Sequence, residues 1–365
     1  MKKSSINFMK ILNFLTLALF LLLLISCQPK LQKDGQSLEN LDSEVLKRYA
    51  LKMAYLSKIS YAESSSLDYQ IIKEEILKAL KNGSETKDLE LVWLGVDEDF
   101  SNLVFVTRVH TENISFYNVT FRGTILHFDN IFQDLDVFDK TEWDHFRPDL
   151  KISSGVHSAI RTIESIKSND LTLNSDSSPT PQIKLKALIK NHLAQHDKMY
   201  LHVTGHSLGG ALSTAYTLKL SEEFDTEIKS NKLDVYNVSF AGQTFGDKNF
   251  VKYYKSKIKS GEINIFKYIN QYDVIPKLLT DMEDIPDLYP NDSFLTYGVI
   301  SVAVKTVSDV FDSLKYTNIV DATVLGKTFK AANDCPLPFE NFNEFICQLT
   351  SQHHINNYIQ LLKDR

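Results

Sequence analysis

The chain has no excess of positive charge. Lys and Arg number 40 against 46 Asp and Glu in 365 residues, a net charge of −6. That excludes a basic face built to follow a phosphate backbone, so no nucleic-acid partner is expected. Cysteine is scarce, at three, which excludes the dense disulfide framework of a small secreted scaffold. No internal repeat is visible, which excludes a solenoid or propeller. The long apolar run near the start, Ile11 to Ile25, is short for a membrane span. What remains is an ordinary hydrophobic content of 43% in a chain long enough to bury a sizeable core.

The first residues do not belong to that core. Lys2, Lys3 and Lys10 precede the apolar run, as in the basic and hydrophobic regions of a signal peptide. The run ends Leu24-Ile25-Ser26-Cys27, which resembles a bacterial lipobox. The resemblance implies cleavage before Cys27 and lipidation of that cysteine, with residues 1–26 lost as the signal peptide. Gln28 follows, not Asp, which fits an outer-membrane destination in a Gram-negative host. An ordinary secretory signal, with the protein released, is the alternative. Residues 27–40 are polar and read as a tether, leaving 41–365 for the folded domain. Cys335 and Cys347 remain there. An exported compartment permits a disulfide, and the spacing leaves pairing and two free thiols equally open.

In the folded part, helical periodicity runs over Leu41 to Ala62 and Ile71 to Leu80. Three strand-like runs follow: Leu89 to Val96, Leu103 to Val109 and Ile114 to Phe121. A helical apolar pattern covers Ile125 to Leu135, and a polar, aromatic segment reaches Leu150. Gly155 to Ile166 and Ile183 to His196 read as helices, with a solvated loop from Ser168 to Pro181 between them. Tyr200 opens a strand, a helix runs through Ala211 to Leu220, and Leu233 to Phe240 and Ile263 to Ile269 are further strands. Val299 to Leu314 fits a helix or a strand pair. Ile355, Tyr358, Ile359 and Leu362 stripe a closing helix. Alternation of strands with helices predicts an α/β fold with a mostly parallel central sheet flanked by helices.

Everything is organised around Tyr200 to Ala211, which reads Tyr-Leu-His-Val-Thr-Gly-His-Ser-Leu-Gly-Gly-Ala. A strand, a Gly-x-Ser-x-Gly turn and a helix form the context in which a serine is lifted out of a sheet as a nucleophile. A serine hydroxyl needs a base, and the base needs an orienting acid. In this arrangement the chain order is Ser, then acid, then His. Only His353 and His354 follow Ser207, apart from which every histidine lies at or before the elbow. One of the two is the expected base, and the residues alone leave the choice open. Among several acids between Asp247 and Asp334, Asp273 directly follows a strand, where α/β folds place site residues. The oxyanion donors expected are the backbone N–H of Leu208 and, from the turn after an earlier strand, Thr124. Thr124 also reads as a cap of the following helix.

Phe121-Arg122-Gly123-Thr124, Gly205-His206-Ser207-Leu208-Gly209-Gly210, Tyr272-Asp273-Val274-Ile275-Pro276, and His353 with Tyr358 five residues on together resemble the class 3 (fungal-type) lipase family. The resemblance implies an α/β-hydrolase with a Ser207-Asp273-His353 triad, requiring no metal or organic cofactor and cleaving esters of acylglycerols, phospholipids or other carboxylic acids, at a membrane or lipid interface. The family spacing from His to Tyr favours His353 over His354. It also makes Ile125 to Phe138 either an amphipathic lid or an ordinary packed helix. The chain departs from the family where Gln243 and Thr244 replace a Pro-Arg pair, where the lid segment lacks Trp, and in the long stretch between Asp273 and His353. Two other readings stand beside the lipase: an amidase or peptidase with the same triad, and a lipid-anchored binding protein on a decayed hydrolase scaffold.

Overall fold

The computed structural model describes residues 43–62, 66–110, 114–124, 136–137, 139–168, 183–290, 293–326, 328–331 and 335–365. The expected signal peptide, Cys27, the tether, the pattern Ile125 to Leu135 and nearly all of the Ser168 to Pro181 loop lie outside the described residues. The chain divides into two compact units, Met1–Tyr49 and Ala50–Arg365. Of the first, only the opening turns of a helix, α1 (Ser43–Ile59), are described.

The second unit is built on a seven-stranded sheet. In spatial order its strands are β1 (Glu90–Val96), β2 (Leu103–His110), β3 (Ile114–Phe121), β6 (Lys198–His206), β7 (Leu233–Phe240), β8 (Asn264–Asn270) and β9 (Thr323–Leu325). The first three pair antiparallel as a meander. From β3 onward every pairing is parallel. The strands β6 and β7 are buried along most of their length. Burial along the whole strand is what coverage of a parallel sheet on both faces produces. A separate antiparallel hairpin joins β4 (Lys140–Asp144) to β5 (Arg147–Ser153).

Several helices begin where the sequence supplies a side-chain acceptor. Asp68 caps α2 (Tyr69–Asn82) by accepting from the N–H groups of Gln70 and Ile71, and that helix buries Ile72, Ile76 and Leu80 at four-residue spacing. Ser153 caps α3 (Ser154–Ser165), and Asp247 caps α7 (Lys248–Lys259). With α4 (Leu185–Gln195) and α5 (Leu208–Glu223), α3 and α7 pack on the sheet around Val119, Leu201, Val203, Leu212, Val235 and Phe250. The short helix α6 (Asp225–Lys229) links α5 to β7.

The long stretch after Asp273 folds around an apolar cluster of its own. It contains two 3₁₀ turns (Ile275–Lys277 and Met282–Asp287), α8 (Phe294–Leu314), α9 (Phe342–His353) and α10 (Ile355–Lys363). Ile275, Leu278, Met282, Tyr289, Ile300, Phe339, Phe345 and Leu349 share this cluster. Val299 to Leu314 is thus helical. Cys335 and Cys347 form a disulfide, with Cα atoms 5.6 Å apart, which settles the pairing that spacing left open.

Candidate active site

Three of the turns that end parallel strands meet at one edge of the sheet. Thr124 follows β3, Ser207 follows β6 and Asp273 follows β8. In a parallel sheet the carboxyl ends of neighbouring strands converge on one rim, so residues far apart in sequence are brought close. His353 reaches the same rim from the last position of α9.

Ser207 has φ 60° and ψ −129°, a conformation L-residues seldom adopt. It is held there from both sides. Its N–H donates to Phe240 O at 3.0 Å, and its own carbonyl accepts from the N–H of Gly210 at 2.9 Å. The helix that follows must pass close to β3. A Cβ on Gly209 would lie 2.4 Å from Phe121 O, so only glycine fits there.

His353 Nε2 lies 2.9 Å from Ser207 Oγ, and His353 Nδ1 lies 2.8 Å from Asp273 Oδ2. All three residues are buried. Asp273 is acceptor to two further donors: the Ile275 N–H bonds Oδ1 at 2.9 Å and the Tyr358 hydroxyl bonds Oδ2 at 2.7 Å. A buried carboxylate is tolerated when its lone pairs are filled in this way. Burial, then the charge of Asp273, pushes the Tyr358 phenol well above its ordinary value, so it remains a donor. Asn270 clamps the other side. Its Nδ2 donates to Gln352 O and to Gln352 Oε1, both at 2.9 Å, tying the end of β8 to the residue before His353.

The expected histidines separate cleanly. His353 joins Ser207 and Asp273, whereas His354 is exposed and its Nδ1 accepts from Asn356 N–H as the cap of α10. Leu208 opens α5, where a first-turn N–H has no intrahelical carbonyl to meet. Among the described residues, Leu208, Gly123 and Thr124 line one cavity of about 1060 Å³, together with Asp136 and Leu212. The polar contacts of Tyr358 and Asn270 are not among the sequence expectations. Tyr358 is legible there as a position in an apolar stripe and as a family spacing, and Asn270 as part of a turn. Gln243 and Thr244, where the family carries Pro-Arg, follow the end of β7 and sit beside Lys267, whose pKa burial lowers to about 8.

Fold and site together define a class: an α/β-hydrolase fold with a serine, histidine and aspartate joined by hydrogen bonds at the sheet's carboxyl rim. Residues 118–282 match the lipase (class 3) family, a span that includes Ser207 and Asp273 and stops short of His353. Two triacylglycerol lipases named OBL1 are similar in part. The one from Arabidopsis thaliana is 29% identical over 97 residues, covering 27% of this chain and 18% of the relative. The one from Ricinus communis is 30% identical over 93 residues, covering 26% and 17%. The chain therefore spans less than a fifth of the length of these curated relatives. The crystal structure of a lipase named M37 shares the fold with a TM-score of 0.67 over 86% of this chain and 93% of that one, at 19% identity.

Proposed function

We propose that the chain is a serine hydrolase that cleaves carboxylic esters of lipids. The observation that carries this reading is the buried hydrogen-bonded series from Ser207 Oγ through the His353 imidazole to Asp273. The match to the class 3 lipases and the two relatives named triacylglycerol lipases support the substrate class.

In this reading Ser207 Oγ attacks the ester carbonyl while His353 Nε2 removes its proton. Asp273 holds the ring so that Nδ1 carries hydrogen and Nε2 is free to accept, and it stabilises the imidazolium that forms. The charge that develops on the carbonyl oxygen is met by the N–H of Leu208, aligned with the helix dipole, and by Thr124. His353 then gives its proton to the leaving alkoxide. A water molecule, deprotonated by His353, attacks the acyl-Ser207 ester, releases the acid and restores the hydroxyl.

The full-length chain is expected to turn over a chromogenic short-chain ester and to be labelled by a fluorophosphonate at Ser207, found by peptide mapping. Ser207→Ala abolishes both, with turnover falling at least a thousandfold. Full activity in Ser207→Ala, or a folded wild type that neither reacts nor turns over esters and amides, would sink the assignment. Faster cleavage of the matched amide than of the ester would move it to the amidase reading.

A further inference from the structure

The elbow contains a second buried histidine that the mechanism leaves unused. His206 Nε2 lies 2.8 Å from the carbonyl oxygen of His353, and the two rings are 4.6 Å apart. A carbonyl only accepts, so His206 Nε2 carries the hydrogen. Burial, and after it the neighbouring His353, holds the His206 pKa well below its usual value, so the ring is neutral and Nδ1 is an acceptor. The donor facing Nδ1, at 3.1 Å, is the hydroxyl of Tyr61, with His206 O a second acceptor for the same hydroxyl at 3.2 Å.

Tyr61 stands just beyond α1, a helix fastened to β6 by Ser57 Oγ at 3.2 Å from Thr204 Oγ1. Its phenol oxygen also presses on the turn that carries Thr124. A Cβ on Gly123 would lie 2.3 Å from it and 2.5 Å from His206 O, so the glycine is what lets the three meet. The Gly123 backbone thus lies directly against the phenol. His353 is the last residue of α9, so its carbonyl is one that a helix cannot satisfy internally.

We propose that Tyr61 and His206 are positioning residues for the ester cleavage. Tyr61 ties the Gly123–Thr124 turn to the elbow and fixes the His206 tautomer, and His206 pins the main chain from which the His353 imidazole projects. One hydroxyl thus sets both the base and an oxyanion donor. His206 does this without charge, so it does not oppose the imidazolium formed on the ring beside it. The inference rests on the ester-hydrolase reading.

The test compares full-length wild type, Tyr61→Phe, His206→Asn and the double variant on a chromogenic ester, with thermal midpoints and Ser207 labelling measured alongside. Wild type labelled and active supports the reading, and an inert wild type removes both the reading and this inference. Tyr61→Phe is expected to lower kcat about five- to thirtyfold, the effect of one lost hydrogen bond. KM should stay within about twofold and the midpoint near wild type, since a positioning bond acts on the reacting geometry. An active wild type with an unchanged Tyr61→Phe overturns this inference alone, as does a fall in rate that only follows lost folded protein. If the two residues act in series, the double variant is no slower than His206→Asn, and multiplying effects would count against the series. Should His206→Asn fail to fold, the nitrogen shifts of wild-type His206 decide. Hydrogen on Nε2 supports the series, and hydrogen on Nδ1 overturns it.

Discussion

At the scale of single residues, Asp273, the acid of the proposed triad, is held on both carboxylate oxygens. Asp273 takes hydrogen bonds from His353, Ile275 and Tyr358 while fully buried. Tyr358 is itself an acceptor from Asn270 N–H at 3.0 Å, so one phenol joins α10, β8 and the acid. Tyr358→Phe strands a buried carboxylate lone pair and a buried amide. It should cost about 1–3 kcal/mol in urea unfolding and lower kcat/KM of ester cleavage about tenfold, with Ser207 still labelled. A variant as stable and as fast as wild type would show that the hydroxyl does neither job. The three hydrogen-bonded residues were legible in the sequence because the proposed chemistry imposes an order on them: few histidines follow Ser207, and Asp273 sits where a strand ends. The choice between His353 and His354 was not, because it depends on which ring faces inward at the junction of α9 and α10. The polar partners of Tyr358 and Asn270 were hidden for a related reason, since a hydroxyl or amide gives no periodic signal of its partner.

At the scale of elements, strands β1 to β3 and β6 to β8 and most helices before Asp273 were legible from alternation and periodicity, whereas α8, which fitted a helix or a strand pair, strand β9 and the shorter or polar elements were not. The hairpin β4–β5 turns only a few side chains inward, chiefly Trp143, Leu150 and Ile152, so it reads as a polar segment. The helix α7 has a capping Asp247 and buried Phe250, Val251 and Tyr254, but five lysines with Asn249 and Ser256 fill seven of its twelve positions, so it reads as a polar segment. α9 is interrupted by a single extended residue, His354, before α10 begins, which places His353 at a helix end that the apolar stripe from Ile355 does not reveal. That helix end is secured by the Cys335–Cys347 disulfide, which closes a sequence separation of 12, and by Gln348 Nε2 donating to Cys335 O at 3.1 Å. In the chain-entropy account a loop of this size contributes about 3 kcal/mol. Replacing both cysteines by serine should therefore lower stability by roughly 2–3 kcal/mol, seen as a reduced urea midpoint, and bring forward the temperature at which ester cleavage fails. An equal midpoint in the double-serine chain would mean that the apolar cluster around Phe345 and Leu349 alone holds α9.

At the scale of the whole molecule, the order of the strands puts polar rings into apolar surroundings, and this sets a pH limit. His192 on α4 is buried against Tyr117 with its ring centroid 4.7 Å away, and neither ring nitrogen has a hydrogen-bond partner among the described residues. Burial, followed by the nearby Arg108, lowers its pKa to about 4. His202 on β6 has Nδ1 3.1 Å from Asn118 Oδ1, and burial, with Lys52 adding to it, lowers its pKa to about 3. Both folded values lie below the unfolded value of about 6.5. Between these limits the unfolded chain binds more protons than the folded one, so stability falls as pH falls through 6.5 toward 4. At pH 4.5 the two rings together should remove about 5 kcal/mol relative to pH 7. Paired carboxylates also lose stability in acid, but chiefly at lower pH, so a variant separates the causes. His192→Leu keeps an apolar group against Tyr117 and removes one titrating ring. Its unfolding free energy should decline less steeply than that of wild type between pH 6.5 and 4.5, with the gap between the two closing or reversing at the acid end. Parallel declines would show that His192 is protonated as readily in the fold as in the open chain, and would place the acid sensitivity on the carboxylates instead.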